Sequence, residues 1–184
     1  MLAISLILCL AVLTGGVLLF NKLVGLRQMA HNGWSDIEVQ LKRRADLIPR
    51  LVDTVKAYAA HERALFAEII DARNTALKAG DDVNARGTAE GAVARETSRL
   101  LALAEAYPDL KANANFLDLQ NDLADTEDKI EMARRFYNGA VRELNTAVQS
   151  VPSNLIAGPF GFTTKPYFEI TDADAAVPSL EFRP

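Results

Sequence analysis

Residues 2–22, LAISLILCLAVLTGGVLLFNK, carry no charge from Leu2 to Phe20 and turn polar at Asn21 and Lys22. At a rise of 1.5 Å per residue, the uncharged run makes roughly 28 Å of helix, close to the roughly 30 Å hydrocarbon core of a bilayer. It reads as a membrane span, and the rest of the chain is interpreted from that anchor outward.

A cleaved secretory signal would need a basic n-region, an apolar run of roughly 7 to 15 residues and a small-x-small cleavage site. No Lys or Arg precedes this run, the run is longer, and Leu19, Phe20, Asn21 and Lys22 offer no small pair. Cys9 does not read as a lipoprotein site, because Leu8 stands where such a site needs a small residue. Residues 1–21 are therefore expected to be an uncleaved anchor that meets membrane lipid through residues 2–20. Lys and Arg close to a span favour the cytoplasmic side, and here Lys22 and Arg27 are the cations within that window. The expected topology is single-pass in the cell (inner) membrane, with the short N-terminus outside and the C-terminal domain in the cytoplasm.

The 184 residues less the anchor leave about 160, enough for one domain with a real core. With 20 basic and 24 acidic residues the net charge is -4, so no nucleic-acid partner is expected, since such a protein must neutralise phosphates. The single Cys lies within the span, which leaves no disulfide framework.

From Lys22 to about Ala79 the chain reads as one long helical pattern. Apolar or small residues recur at Trp34, Ile37, Leu41, Ala45, Ile48, Val52, Val55, Ala59, Phe66 and Ile69, mostly in steps of 3 and 4. Pro49 interrupts it and is expected either to kink the helix or to divide it in two. Gly80, Asp81 and Asp82 mark a turn. A second helix then runs to about Ala106 through Val93, Thr97, Leu100, Leu101 and Ala104, and Tyr107 and Pro108 stop it. A third begins near Asn113 or Asn115, either of which can cap it, and continues to about Ser150. Its stripe, Phe116, Leu119, Leu123, Thr126, Ile130, Ala133, Tyr137, Leu144 and Val148, keeps those steps for nearly five heptads apart from the region of Val141. The expected fold class is all-α: an anchor over 1–21, an antiparallel, coiled-coil-like bundle over 22–150, and a tail over 151–184. The bundle has three long helices, or four if the first breaks at Pro49.

Prolines and glycines break any helix in the tail, yet Phe160, Phe162, Tyr167, Phe168 and Phe182 make it rich in aromatics. Something must cover those rings. The tail is expected to lie back on its own bundle, with docking onto a neighbouring subunit or partner as the alternative.

These residues resemble the LemA family. The resemblance runs through Trp34, Val39 to Arg44, Asp46 to Pro49, Leu51-Val52, Tyr58 and His61-Glu62. It resumes at Tyr107 to Asn113, Asn115-Phe116, Leu119-Gln120, Thr126-Glu127, Lys129-Ile130 and Tyr137-Asn138. It closes with Pro152, Asn154, Ile156-Ala157, Phe160-Gly161-Phe162 and Tyr167-Phe168. Ala45 stands where the family pattern favours a larger His or Tyr, and Asp128 where Asn is common. The resemblance implies an all-helical, single-pass membrane protein with its short end outside and no established enzymatic activity.

Chemistry-bearing motifs are sparse. His61-Glu62 begins like a zincin helix, but the second ligand would fall four residues after His61, where Leu65 stands. His31 lies roughly 45 Å from His61 along a straight helix. The carboxylates Asp122, Asp125, Glu127, Asp128 and Glu131 share one helix and face outward around it, with Asp125 to Lys129 and Glu131 to Arg135 as i,i+4 pairs. Glu127, seven after Gln120 and beside the apolar stripe, is the exception: a buried polar pair there would fix helix register. No phosphate loop or nucleophile elbow appears. Lys42, Arg43 and Arg44 sit roughly 33 Å beyond Phe20 on a straight helix, too far to grip lipid across a screening length of about 8 Å. They read as a solvated face or a protein contact. No catalytic residue, metal site, cofactor or small-molecule substrate is expected.

The unequal helix lengths leave Leu23, Leu26, Ala30, Trp34, Ile37 and Leu41 as an expected uncovered seam near the membrane, most simply buried by a second copy. A break at Pro49 that folds both halves into a four-helix bundle would hide it instead. Ala11 and Gly15 form a small-xxx-small pair that lets spanning helices approach. The expected function is a membrane-anchored, non-enzymatic helical scaffold that forms a homo-oligomer and organises or shapes the local membrane. The alternative is a regulatory adaptor presenting its bundle and tail, through Phe160, Phe162, Tyr167 and Phe168, to another membrane protein such as a protease.

The stripe makes a stability prediction. Leu123→Ala should cost about 2 to 5 kcal/mol and outward-facing Asp125→Ala well under about 1 kcal/mol, read from thermal or denaturant unfolding.

Overall fold

The computed structural model describes residues 1–170, and among these every regular element is helical. Helix α1 (Leu2–Lys56) contains the apolar run. It is followed by α2 (Arg63–Lys78), α3 (Val83–Ala104), the single turn α4 (Pro108–Lys111), α5 (Ala114–Gln149) and the single turn α6 (Asn154–Ala157). The boundaries have local causes. Gly80 takes a φ of 61°, and the Asp82 carboxylate accepts from the amides of Asn84 at 2.9 Å and Ala85 at 3.0 Å to cap α3. Pro108 opens α4, where its missing N–H costs nothing. Asn113, one of the two expected caps, accepts from the amide of Phe116 at 3.2 Å.

Pro49 neither divides α1 nor ends it; the helix continues to Lys56. A proline leaves the carbonyl four residues earlier, that of Ala45, without its helical partner. Arg73 of α2 donates its Nε–H to that carbonyl and so satisfies it from outside the helix. The chain reverses instead at residues 57–62, where Ala59 is buried and Asn113 donates to the Tyr58 hydroxyl at 3.0 Å. The expected single pattern from Lys22 to Ala79 is therefore two helices, giving four long helices with the break after Lys56 rather than at Pro49.

The chain forms two compact units, and α1 and α5 contribute to both. One unit holds Gln40–Asp128 and the chain from Phe168. Its core joins Ile48, Leu51 and Val55 of α1, Phe66 and Ile69 of α2, Val93 and Leu100 of α3, Leu110 of α4 and Phe116, Leu119 and Leu123 of α5. Each such side chain contributes about 1.5–3 kcal/mol by leaving water.

Beside this apolar core lies a charged cluster. Arg44 is fully buried. Its Nη1 donates to both oxygens of Glu127, at 2.9 and 3.1 Å, and its Nη2 to the Glu90 carboxylate and, at 3.3 Å, the Glu90 carbonyl. Arg86 donates its Nε–H to the other Glu90 oxygen at 2.8 Å. Burial lowers the Arg44 pKa, but the carboxylates of Glu127 and Glu90 outweigh it and hold the pKa above its ordinary value. The cluster is electrically balanced and ties α1, α3 and α5 together. Neighbouring Arg43 reaches Asp122 at 3.2 Å and Asp125 at 3.6 Å among half-exposed side chains, where an ion pair contributes little. The basic run expected to be a solvated face or a partner contact thus supplies a core residue. Glu127, singled out beside the apolar stripe, has Arg44 as its partner.

In the same unit Phe168 is fully buried, and the backbone beside it lies directly on α3: a Cβ built at Gly87 would collide with the Glu169 carbonyl oxygen. Glycine at this position is what lets the extended segment approach the helix.

The other unit holds Met1–Val39 and Lys129–Tyr167. Here Leu23, Leu26, Ala30 and Ile37 of α1 are buried, as are Ile130, Tyr137, Ala140, Val141 and Leu144 of α5. The α5 stripe is not interrupted at Val141, which is itself fully buried. The helices approach closely at Gly33, where an added Cβ would lie 3.0 Å from both the Phe136 ring and the Tyr137 Cα.

Two predictions follow from the core. Arg44→Met releases Glu127 to solvent and leaves buried Glu90 with Arg86 as its remaining cation, and should cost about 1–3 kcal/mol in urea unfolding, against less than about 1 kcal/mol for Arg43→Ala. Gly87→Ala raises the helix propensity of α3 yet should destabilise by about 1–3 kcal/mol and expose Phe168, as seen by hydrogen exchange in residues 167–170.

Candidate functional site: the membrane-flanking collar

The unit of Met1–Val39 and Lys129–Tyr167 contains the apolar part of α1, the one described helix long and apolar enough to cross a membrane. Along the span, Leu2, Leu6, Leu10 and Leu13 are all more than half exposed, so no described residue covers them. Burial begins where the polar sequence begins, at Leu23. What packs against that point is the chain after α5. Ser153 donates its hydroxyl to the Ala147 carbonyl at 2.6 Å, turning the chain at the end of α5, and α6 follows. Gly158, Pro159 and Gly161, the last at a φ of 69°, then close a tight loop with the Phe162 amide on the Ala157 carbonyl at 2.9 Å.

That loop delivers aromatic rings to the end of the span. Phe20 meets Phe160 edge-on at 5.0 Å between centroids and Phe162 at 5.6 Å. Phe162 packs with Leu23 and Ala157, and the Arg27 guanidinium lies 4.8 Å over its ring. Ile156 of α6 reaches alongside the span itself, 3.9 Å from where a Cβ on Gly16 would be. Val151, Leu155 and Phe160, all in the segment after α5, are 76, 69 and 60 % exposed. Three apolar side chains left in the open beside a membrane span form a surface suited to the bilayer interface.

The chain then runs extended over 163–167, held by a reciprocal pair of bonds. Asn145 donates its Nδ2 to the Lys165 carbonyl at 2.9 Å and accepts from the Lys165 amide at 2.8 Å. Tyr137 donates its hydroxyl to the Pro166 carbonyl at 2.9 Å and packs against Trp34 at 5.5 Å. Burial pushes the Tyr137 phenol above its ordinary value of 10.0. The unfolded chain loses that proton first, so this contribution to stability is present below about pH 10 and is lost as the pH rises further.

The seam expected to be uncovered is therefore filled by the chain itself. Leu23, Leu26, Ala30 and Ile37 are buried in this unit, Trp34 is half-buried beside Tyr137, and Leu41 is fully buried in the other unit. The physical reason is the reach of α5 and of the segment after it, which cover the part of α1 that α2 and α3 do not. Of the tail aromatics, Phe162 and Phe168 are buried while Phe160 and Tyr167 stay exposed. Phe182 lies outside the described residues. Sequence reasoning did not find the Arg27–Phe162 stack or the α6 contact with the span, since nothing in a linear pattern pairs residues more than a hundred positions apart. Among the described residues, no three His, Cys, Asp or Glu side chains gather in a way that could hold a metal ion.

Comparison with known proteins finds relatives along most of the chain. The chain is 26% identical to magnetosome protein MamQ of Magnetospirillum gryphiswaldense over 193 aligned positions, covering 91% of this chain and 71% of the relative. It is 24% identical to magnetosome proteins MamQ 1 and MamQ 2 of Paramagnetospirillum magneticum, with 92% of this chain and 71% of each relative covered. The LemA family model matches residues 33–182. A membrane-anchored helical protein, this chain belongs to the LemA family.

Proposed function

We propose that this protein is a non-enzymatic scaffold that self-assembles in the cell (inner) membrane and organises or shapes the bilayer around it, with its short N-terminus outside and its helical units in the cytoplasm. The observation that carries this reading is that α1 passes without a break from the exposed span into the packed residues beyond Leu23. An anchor of this kind transmits the orientation of its folded part to the bilayer, which a flexible tether would not do. The exposed Val151, Leu155 and Phe160 add apolar surface in the segment after α5. Lys22 and Arg27 beside the span support the orientation. The resemblance to proteins named for the magnetosome supports a role at a membrane.

Because the α1 seam is already filled, contact between copies falls on surfaces that remain open. Within the span, Ala11 and Gly15 leave room for another helix, and a Cβ at Gly15 would meet nothing within 4 Å. On α5, Met132 and Phe136 lie one turn apart, 60 and 49 % exposed.

Light scattering of the detergent-solubilised chain should give a mass of two or more copies. Gly15→Leu combined with Phe136→Gln should shift the dissociation constant upward by about tenfold or more, a change of about 1.4 kcal/mol, with helix content unchanged. A wild-type chain that is monomeric at every concentration would refute self-assembly.

A further inference from the structure

Beside the aromatic collar, α1, α5 and the turn after α5 enclose a cleft of about 560 Å³, within the roughly 300–1,000 Å³ range of ligand-binding clefts. Leu19, Leu23 and Leu26 make its apolar wall, and Lys22 and Arg142 bring two cations to its polar side. Thr146 on the last turn of α5 and Ser150 just after its end add hydroxyl groups, and Glu143 adds one carboxylate. Neither Lys22 nor Arg142 forms an ion pair with another described residue. Arg27 is engaged elsewhere, over the Phe162 ring.

The depth of the cleft identifies its occupant. Lys22 lies two residues past the uncharged run, roughly 3 Å along the helix axis, and Leu26 roughly 9 Å. Each headgroup layer of a bilayer is about 5–8 Å thick, so the cleft opens among lipid phosphates, with Leu19 still at the hydrocarbon edge. At this distance the cations lie within a screening length of the phosphates, as Lys42 and Arg43 do not. Two cations against one carboxylate leave a net positive charge, which complements a singly charged phosphodiester better than a zwitterionic headgroup.

We propose that this cleft is a binding site for one anionic phospholipid of the surrounding bilayer: its phosphate between Lys22 and Arg142, its glycerol oxygens against Thr146 and Ser150, and the start of an acyl chain along Leu19, Leu23 and Leu26. The site needs the membrane anchor but not self-assembly, so lipid bound per chain is informative whatever the oligomeric state.

The test uses the full chain in a neutral maltoside detergent, with native mass spectrometry counting lipid adducts per chain. Phosphatidylglycerol should be retained at one molecule per chain, and phosphatidylcholine at the same concentration about tenfold less. The Lys22→Gln/Arg142→Gln double variant, whose altered side chains are exposed, should keep its helix content and lose phosphatidylglycerol occupancy about tenfold; Lys42→Gln/Arg43→Gln should retain it. Equal retention of the two lipids, or undiminished occupancy in the Lys22/Arg142 variant, would overturn the proposal. Displacement of the lipid by an equal concentration of glycerol 3-phosphate would overturn it too, by assigning the site to a soluble phosphate.

Discussion

The continuity of α1 is the constraint on which the other elements depend. An apolar run in lipid must satisfy its backbone internally and is therefore helical, and in this chain the same helix continues to Lys56. Everything after it has to cover one long face. The threat to that continuity is Pro49, whose missing N–H frees the Ala45 carbonyl. A side chain from the next helix, Arg73, takes over the missing bond. The helix can then carry its stripe past the proline, and the chain reverses at residues 57–62, where no stripe residue has to be interrupted beyond the buried Ala59.

The two units cover that face by different means. From Gln40 onward, segments of α1, α2, α3, α4 and α5 surround a core of aliphatic and aromatic side chains, with a balanced charge cluster beside it. Such clusters add little net stability compared with apolar packing of the same volume, but they penalise every arrangement that leaves one member unpaired. Arg44 suits the task because its planar fork serves Glu127 and Glu90 at once, which a lysine ammonium would do with poorer geometry. In the other unit there are only two long helical segments, and a non-helical segment supplies the third wall: rings at Phe160 and Phe162, the Asn145–Lys165 amide clamp and the Tyr137–Pro166 bond. The aromatic richness of the tail thus serves the fold for Phe162 and Phe168, while Phe160 is left to the interface.

For function, the important distinction is between surface that the chain consumes itself and surface that it leaves open. Trp34 and the residues around it belong to the first kind. The outer faces of the span, Val151, Leu155 and Phe160, and the cationic cleft at Lys22 and Arg142 belong to the second, and the cleft is lined by residues at the polar end of the apolar run. That distribution is what the proposed role at the bilayer rests on.

The sequence by itself determined the anchor, the helical class and nearly every buried face, because each depends on local quantities: an uncharged run of bilayer length, and apolar residues in steps of 3 and 4. Thus Ile48, Val52, Val55, Leu100, Leu123 and Ile130 are all where the periodicity puts them. Even Arg44 left a trace, since it falls three after Leu41 and four before Ile48, a charge on an apolar stripe; Glu127 holds the matching place between Leu123 and Ile130. Only tertiary structure decided that these two charges meet, that Arg73 rescues the helix at Pro49, that Gly87 admits the Glu169 backbone, and that α5 and the chain after it close the seam. Each of those is a contact between groups far apart in the chain, and periodicity along one helix tells which face seeks a partner but not which partner arrives.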